Sequence, residues 1–135
     1  MRMLIDTNVI LDIIFNRKNC NVSTELFRKM GKLGIDACIT ASSVTDLFYI
    51  IRKETHDIGH TYEVMENVFK LVFVLSVTEK EIQNAFFQKW KDFEDCVQYM
   101  VAKSNSVDYI ITSNQKDYVD SLLPVLTPQE CIEIL

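Results

Sequence analysis

Along the chain, short apolar runs alternate with apolar residues at helical spacing. Met3-Leu4-Ile5 is a compact run that stops at Asp6-Thr7-Asn8. This reads as a buried strand over residues 2–5, then a turn, then a helix over 9–15 that is apolar nearly all round. The polar stretch 16–21 reads as a loop. Ser23 or Thr24 then starts a helix with Leu26, Phe27, Met30 and Leu33 on one face, and Gly34 stands where a C-terminal cap glycine belongs. Residues 35–40 form a second strand. Ser42 or Ser43 starts the next helix, which runs to Arg52-Lys53. The stretch 54–60 is the most loop-like of the chain.

The alternation continues to the end. Residues 61–70 are helical, with Tyr62, Met65, Val68 and Phe69 on one face. Residues 72–75 are a third strand, and 79–91 an amphipathic helix carrying Ile82, Ala85, Phe86 and Trp90. Asp92 to Asp95 opens a further helix, 108–112 is a fourth strand, and 113–117 a polar turn. Val125-Leu126 is a short last strand, and Pro128 occupies the first turn of a closing helix. Strands alternating with helices define an α/β domain with a mostly parallel sheet of four to five strands. Phe48, Tyr49, Phe86, Phe93 and Tyr99 are expected in its core.

The totals narrow this picture. With 135 residues and 48% hydrophobic content, the chain supports one domain, residues 1–135, with an ordinary core. Three glycines and two prolines leave no material for a long linker. Fourteen basic against 19 acidic residues give a net charge of −5, which argues against broad coating of nucleic acid by many Lys/Arg–phosphate contacts. A small site where a cation meets the phosphate remains open. The four cysteines form no CxxC pair, so they read as reduced thiols of a cytoplasmic protein. No apolar run approaches the about 20 residues of a membrane span.

In open parallel sheets, ligands bind beyond the carboxyl ends of the strands. Acids and amides fall there repeatedly. Asp6 ends the first strand, Asp46 lies early in the helix after the second, Asp95 lies in the first turn of its helix, and Asn114 and Asp117 follow the fourth strand. Each also has a structural reading. Asp46 and Asp95 near helix starts gain about 0.3–1 kcal/mol from the macrodipole. Asp92 and Asp95 have capping-box spacing, and Asn114 and Asp117 suit a turn. Converging carboxylates, however, need a positive charge between them, and a hard divalent cation fits. Such a cation favours phosphodiester hydrolysis. His56 and His60 lack a third ligand nearby in sequence, which leaves them without a metal role.

Four segments together resemble one family. Met3-Leu4-Ile5-Asp6-Thr7-Asn8-Val9-Ile10-Leu11-Asp12 is similar to the opening motif of PIN-domain proteins of the VapC type. Asp92-Phe93-Glu94-Asp95-Cys96-Val97-Gln98, the stretch Tyr109 to Tyr118, and Val125-Leu126-Thr127-Pro128-Gln129-Glu130 resemble the later motifs, in the family's order and across nearly the whole chain. The resemblance implies a three-layer fold with a central parallel sheet between helices. It implies metal ligands at Asp6 and Asp95, with Mg²⁺ or Mn²⁺ as the ion. Asp46 stands where the family usually has a Glu, one methylene longer. Asn114 stands in place of a fourth acid, with Asp117 three residues on. Asn8, Thr112 and Asp92 are supporting residues, Thr112 placing a water or the cation.

By the same resemblance, the expected activity is metal-dependent endoribonucleolytic cleavage by in-line attack of water, leaving a 5′-phosphate and a 3′-hydroxyl. Asp6, Asp46 and Asp95 would be the catalytic set. The expected partners are RNA and a small antitoxin protein, since many bacterial members are toxins silenced that way; a homodimer is expected too. The rival is a PIN-fold module that binds RNA or protein without cutting. A haloacid-dehalogenase-type phosphatase also begins with an Asp after an apolar strand, but it needs a second Asp two positions on, where this chain has Asn8.

Overall fold

A computed structural model describes residues 1–135. Its five strands are β1 (Arg2–Ile5), β2 (Asp36–Thr40), β3 (Phe73–Leu75), β4 (Tyr109–Ile111) and β5 (Val125–Leu126). They form one sheet in the order β3-β2-β1-β4-β5, and every pairing is parallel. The sheet is therefore wholly parallel where a mostly parallel one is expected. The helices are α1 (Thr7–Ile14), α2 (Cys20–Leu33), α3 (Ala41–Thr55), α4 (Ile58–Leu71), α5 (Glu79–Gln88), α6 (Phe93–Ser104) and α7 (Pro128–Ile134), with a single 3₁₀ turn at Gln115–Tyr118.

Alternation along the strands divides the core. Met3 and Ile5 of β1, Ala37 and Ile39 of β2, and Ile111 of β4 pack with buried side chains of α1 to α4 and with Cys131 of α7. Leu4, Cys38 and Ile110 point the other way and pack with Ala85 of α5 and with Cys96, Val97 and Met100 of α6. The result is three layers, with both sheet faces covered as a parallel sheet requires. Burying a side chain such as Ile5, fully shielded here, contributes about 1.5–3 kcal/mol.

Several element ends follow their chemistry. Gly34 closes α2 in the left-handed region at φ 68°, where a Cβ would be unfavourable. Thr127 and Glu130 form a reciprocal capping box around Pro128 at the start of α7. Other ends depart from expectation. α2 begins at Cys20 rather than Ser23, absorbing most of the polar loop. The expected loop at 54–60 is nearly all helix: α3 ends at Thr55, His56 turns the chain at φ 55°, and Asp57 caps α4 by accepting from His60 N at 3.0 Å. The stripe residues divide as well. Tyr99 is buried, but Tyr49, Phe86 and Phe93 are exposed, as are Tyr62 and Phe69.

Strand order decides where the chemistry falls. From β1 the chain moves outward through β2 to β3, then returns to add β4 and β5 on the other side. β1 and β4 are thus neighbours whose connections leave in opposite directions, and a crevice opens at their carboxyl ends. Asp6 directly follows β1, and Thr112 directly follows β4.

Candidate active site

Asp6 is placed by the sheet itself. Its backbone N–H donates to Ile111 O at 2.9 Å, extending the β1–β4 ladder by one residue. Its carboxylate is buried and held from several sides. Thr112 Oγ1 donates to Oδ2 at 2.9 Å, Gln98 Nε2 to Oδ1 at 3.2 Å, and Asn8 Nδ2 lies 3.4 Å from Oδ2. Asn8 also joins the two strand ends: its Nδ2 reaches Thr112 Oγ1 at 3.3 Å, and its Oδ1 accepts from Ser113 N at 3.2 Å.

Asp95 is placed by the start of α6. Asp92 is the N-cap and accepts from Asp95 N at 3.1 Å. It therefore holds the first turn of the helix that carries Asp95. One turn after Asp95, Gln98 lies on the same face and donates to Asp6. The Tyr118 hydroxyl is buried between these groups, 3.2 Å from Gln98 Nε2 and 3.4 Å from Asp95 Oδ1. Gln98 and Tyr118 thus link the Asp6 and Asp95 carboxylates, which lie far apart in the sequence.

Asp46 lies on α3, whose N-cap Thr40 accepts from Ser43 N at 3.1 Å. It shares a cleft with Asp6, Thr7, Tyr49, Ile50, Glu94 and Gln98. Glu94, which no spacing argument singles out, therefore belongs to the site. Asn114 and Asp117 pair with each other, and the Asp117 charge lies near enough to Asp95 to raise its carboxyl. Asn114 Nδ2 donates to Asp117 Oδ2 at 2.7 Å at the surface, although Asn114 N also donates to Thr112 Oγ1 at 3.1 Å.

The electrostatics follow from this arrangement. Burial raises the Asp6 carboxyl above its ordinary value against the hydrogen bonds from Thr112 and Gln98. Burial first, then the Asp6, Asp92 and Asp117 charges, push Asp95 up to about 7. Burial raises Asp46, while Glu94 is raised chiefly by Asp46, then by burial and Asp92. Burial, then Asp6 and Asp95, keep the Tyr118 hydroxyl protonated. The chain's ion pairs are Arg17–Asp12 and Arg28–Glu25, so no basic side chain pairs with Asp6, Asp46, Glu94 or Asp95. Buried Asp6 and Asp95, with half-buried Asp46 and exposed Glu94 beside them and no positive partner, suit a hard cation. No three His, Cys, Asp or Glu side chains come together closely enough to coordinate one ion jointly.

Gln98, Tyr118 and Glu94 were the residues hardest to find from sequence. Gln98 had one available signal, its spacing of three from Asp95 on a helix. Tyr118 reads as an ordinary aromatic at the end of a turn.

A wholly parallel sheet between helices, with this switch point and acids at its carboxyl edge, defines a three-layer α/β fold. The PIN domain family model matches residues 2–116, and the chain belongs to that family. Ribonuclease VapC1 of Aquifex aeolicus (strain VF5) is 28% identical over 98% of this chain and 94% of its own length. Among solved structures, VapBC-1 from nontypeable Haemophilus influenzae matches with a TM-score of 0.74 at 16% identity, over 96% of this chain and 99% of that one. VapBC2 from Rickettsia felis, bound to a DNA fragment from its promoter, matches with a TM-score of 0.73 at 12% identity, over 94% and 98%. No helix is long and apolar enough to cross a membrane.

Proposed function

We propose that this PIN-domain chain is an endoribonuclease in which Asp6 and Asp95 hold Mg²⁺ or Mn²⁺, with Asp46 and Glu94 meeting the ion's waters. The observation that carries the reading is that Asp6, Asp46 and Glu94 line one cleft, with Asp95 linked to Asp6 through Gln98 and Tyr118, and that none of the four has a cationic partner. The ribonuclease relative supports RNA as substrate. A bound ion of this kind supplies an activated water and a counter-charge for the phosphodiester.

The chain's own residues prepare that chemistry. Thr112 and Gln98 fix the two Asp6 oxygens, so the carboxylate does not reorganise during reaction. Tyr118, kept protonated, stays a donor to Asp95 rather than a third negative charge. Asn114 leaves the fourth corner neutral and Asp117 engaged with it. A small antitoxin belongs to the same reading, supported by the VapBC assemblies that share the fold. A homodimer belongs to it as well, supported by the unpaired edge of β3, where Phe73 and Val74 are exposed.

RNA cleavage with Mg²⁺, Mn²⁺ or a chelator is the test. Equal cleavage with and without chelator would overturn the metal assignment. A non-cleaving binding module is the second reading, favoured by Asn114 and by the lack of three converging ligands. Tight RNA binding without cleavage in any divalent metal would establish it.

A further inference from the structure

The α3 surface continues the acidic cleft into a different kind of site. Tyr49 lines that cleft with Asp6, Asp46 and Glu94. It also lines the adjoining surface pocket with Arg52, Lys53, His56 and Ile58. At 100° per residue, Asp46, Tyr49 and Lys53 fall on one stripe of α3, with Arg52 beside it. Glu54, the nearest acid in sequence, projects from another side of the helix. From Asp46 to Lys53 the axial rise is about 10 Å, a distance that a short single-stranded segment spans.

The three side chains are free to act. Tyr49 is 66% exposed, and its ring takes part in none of the aromatic pairs, whereas its neighbour Phe48 packs edge-on against Tyr62. Arg52 and Lys53 are exposed and make neither an ion pair nor a side-chain hydrogen bond. In a chain of net charge −5, this is a local basic patch directly continuous with the acids. Its sequence of chemistry is a carboxylate cleft, then an exposed aromatic face, then two adjacent cations. An aromatic face takes an unstacked base of any identity, and Arg and Lys take phosphates. A duplex offers no unstacked base, so the matching ligand is single-stranded.

We infer that Tyr49, Arg52 and Lys53 form a substrate track that binds single-stranded RNA beside the scissile bond, Tyr49 stacking on a flanking base while Arg52 and Lys53 hold phosphates beyond it. The inference rests on the ribonuclease reading. These are positioning residues, and they make RNA rather than the cation their ligand.

The test uses the full chain and a fluorescently labelled single-stranded oligoribonucleotide, with binding followed by anisotropy in chelator across a range of salt. Arg52→Ala/Lys53→Ala should weaken binding roughly tenfold and reduce the slope of log affinity against log salt by about 1.4, the value for two phosphates on a single strand. Lys32→Ala/Lys80→Ala, with the same charge change on α2 and α5, should leave that slope near wild type. Tyr49→Ala should cost about tenfold and Tyr49→Phe very little, while binding of a blunt duplex should be indifferent to both. In turnover with metal, Arg52→Ala/Lys53→Ala should raise KM for long RNA at unchanged kcat, and leave a dinucleotide that fills only the cleft unaffected. Wild-type affinity and slope in Arg52→Ala/Lys53→Ala, with wild-type RNA still bound and cut, would overturn the track alone. Failure of the wild type to bind or cleave RNA would overturn the ribonuclease reading and the track with it.

Discussion

Two corners of the crevice are built from the same residue types and end in opposite states. At the first, Asp6 is buried and accepts hydrogen bonds from Thr112 and Gln98, with Asn8 close by. At the second, Asn114 donates to Asp117 at the surface, and the pair satisfies itself. A carboxylate whose donors are fixed by the sheet and by α6 keeps its geometry whether or not a ligand is present. An exposed one such as Asp117, whose partner is a neighbouring half-buried amide, can exchange that partner for water at little cost. Rigidity at the first corner comes from contacts across 92 to 106 residues of sequence, whereas the second corner is local and yields easily.

The largest test of this contrast removes charge at the rigid corner. Asp6→Asn and Asp95→Asn should each lower metal-dependent RNA cleavage on the order of 100-fold or more, with circular dichroism unchanged. Near-wild-type rates in both would erase the distinction between the corners. Next in size is the bracing hydroxyl. Tyr118→Phe removes the donor facing Asp95, and calorimetry should show metal affinity falling roughly tenfold; an unchanged affinity would mean that the hydroxyl only fills space.

A pH effect comes third. The folded Asp95 carboxyl, at about 7, holds its proton more tightly than its ordinary value of 3.8 allows in the unfolded chain. The native state therefore binds more protons between those values, and stability of the metal-free protein should fall as pH rises from about 4 to about 7. Denaturant midpoints across that window should be flatter in Asp95→Asn; a parallel decline in both proteins would place the titrating group elsewhere. Asp46 gives a smaller, graded test on the open side of the cleft. Asp46→Ala should reduce cleavage while Asp46→Glu retains or raises it, and activity in Asp46→Ala equal to wild type would reduce Asp46 to a helix-start acid. Smallest of all, Asn114→Asp should tighten Mg²⁺ binding only a few-fold, and Asp117→Asn should change it less than Asp6→Asn does. Loss of binding in Asp117→Asn alone would make the local corner the functional one.

Much of the architecture was legible because its signals are local. The run Met3-Leu4-Ile5 ending at Asp6, the cap at Gly34, and Pro128 opening α7 each express one rule within a few residues, and the structure has all three. The stretch 54–60 misled because its polar residues and Gly59 look like a loop, yet α3 and α4 are separated only by His56 and Asp57. Aromatic spacing located helices but not their covered faces. Tyr49 and Phe86 lie on amphipathic patterns and still face solvent, since the pattern does not say whether a second layer lies over them. Within the site, Asp6, Asp46 and Asp95 stood out as acids at element ends. Gln98 and Tyr118 did not, because their role exists only once α6 and the 3₁₀ turn are brought against β1.

The distance in sequence between Asp6 and its donors also sets a timetable. Asp6 is made before its donors: Thr112 lies 106 residues later, and translation at about 5–20 residues per second needs roughly 5–20 s to cover that interval. β4, which β1 must pair with to aim Asp6 into the crevice, follows most of the chain out of the ribosome. A nascent chain therefore carries Asp6 long before it can form these hydrogen bonds, and this corner of the crevice is completed only once β4 has emerged.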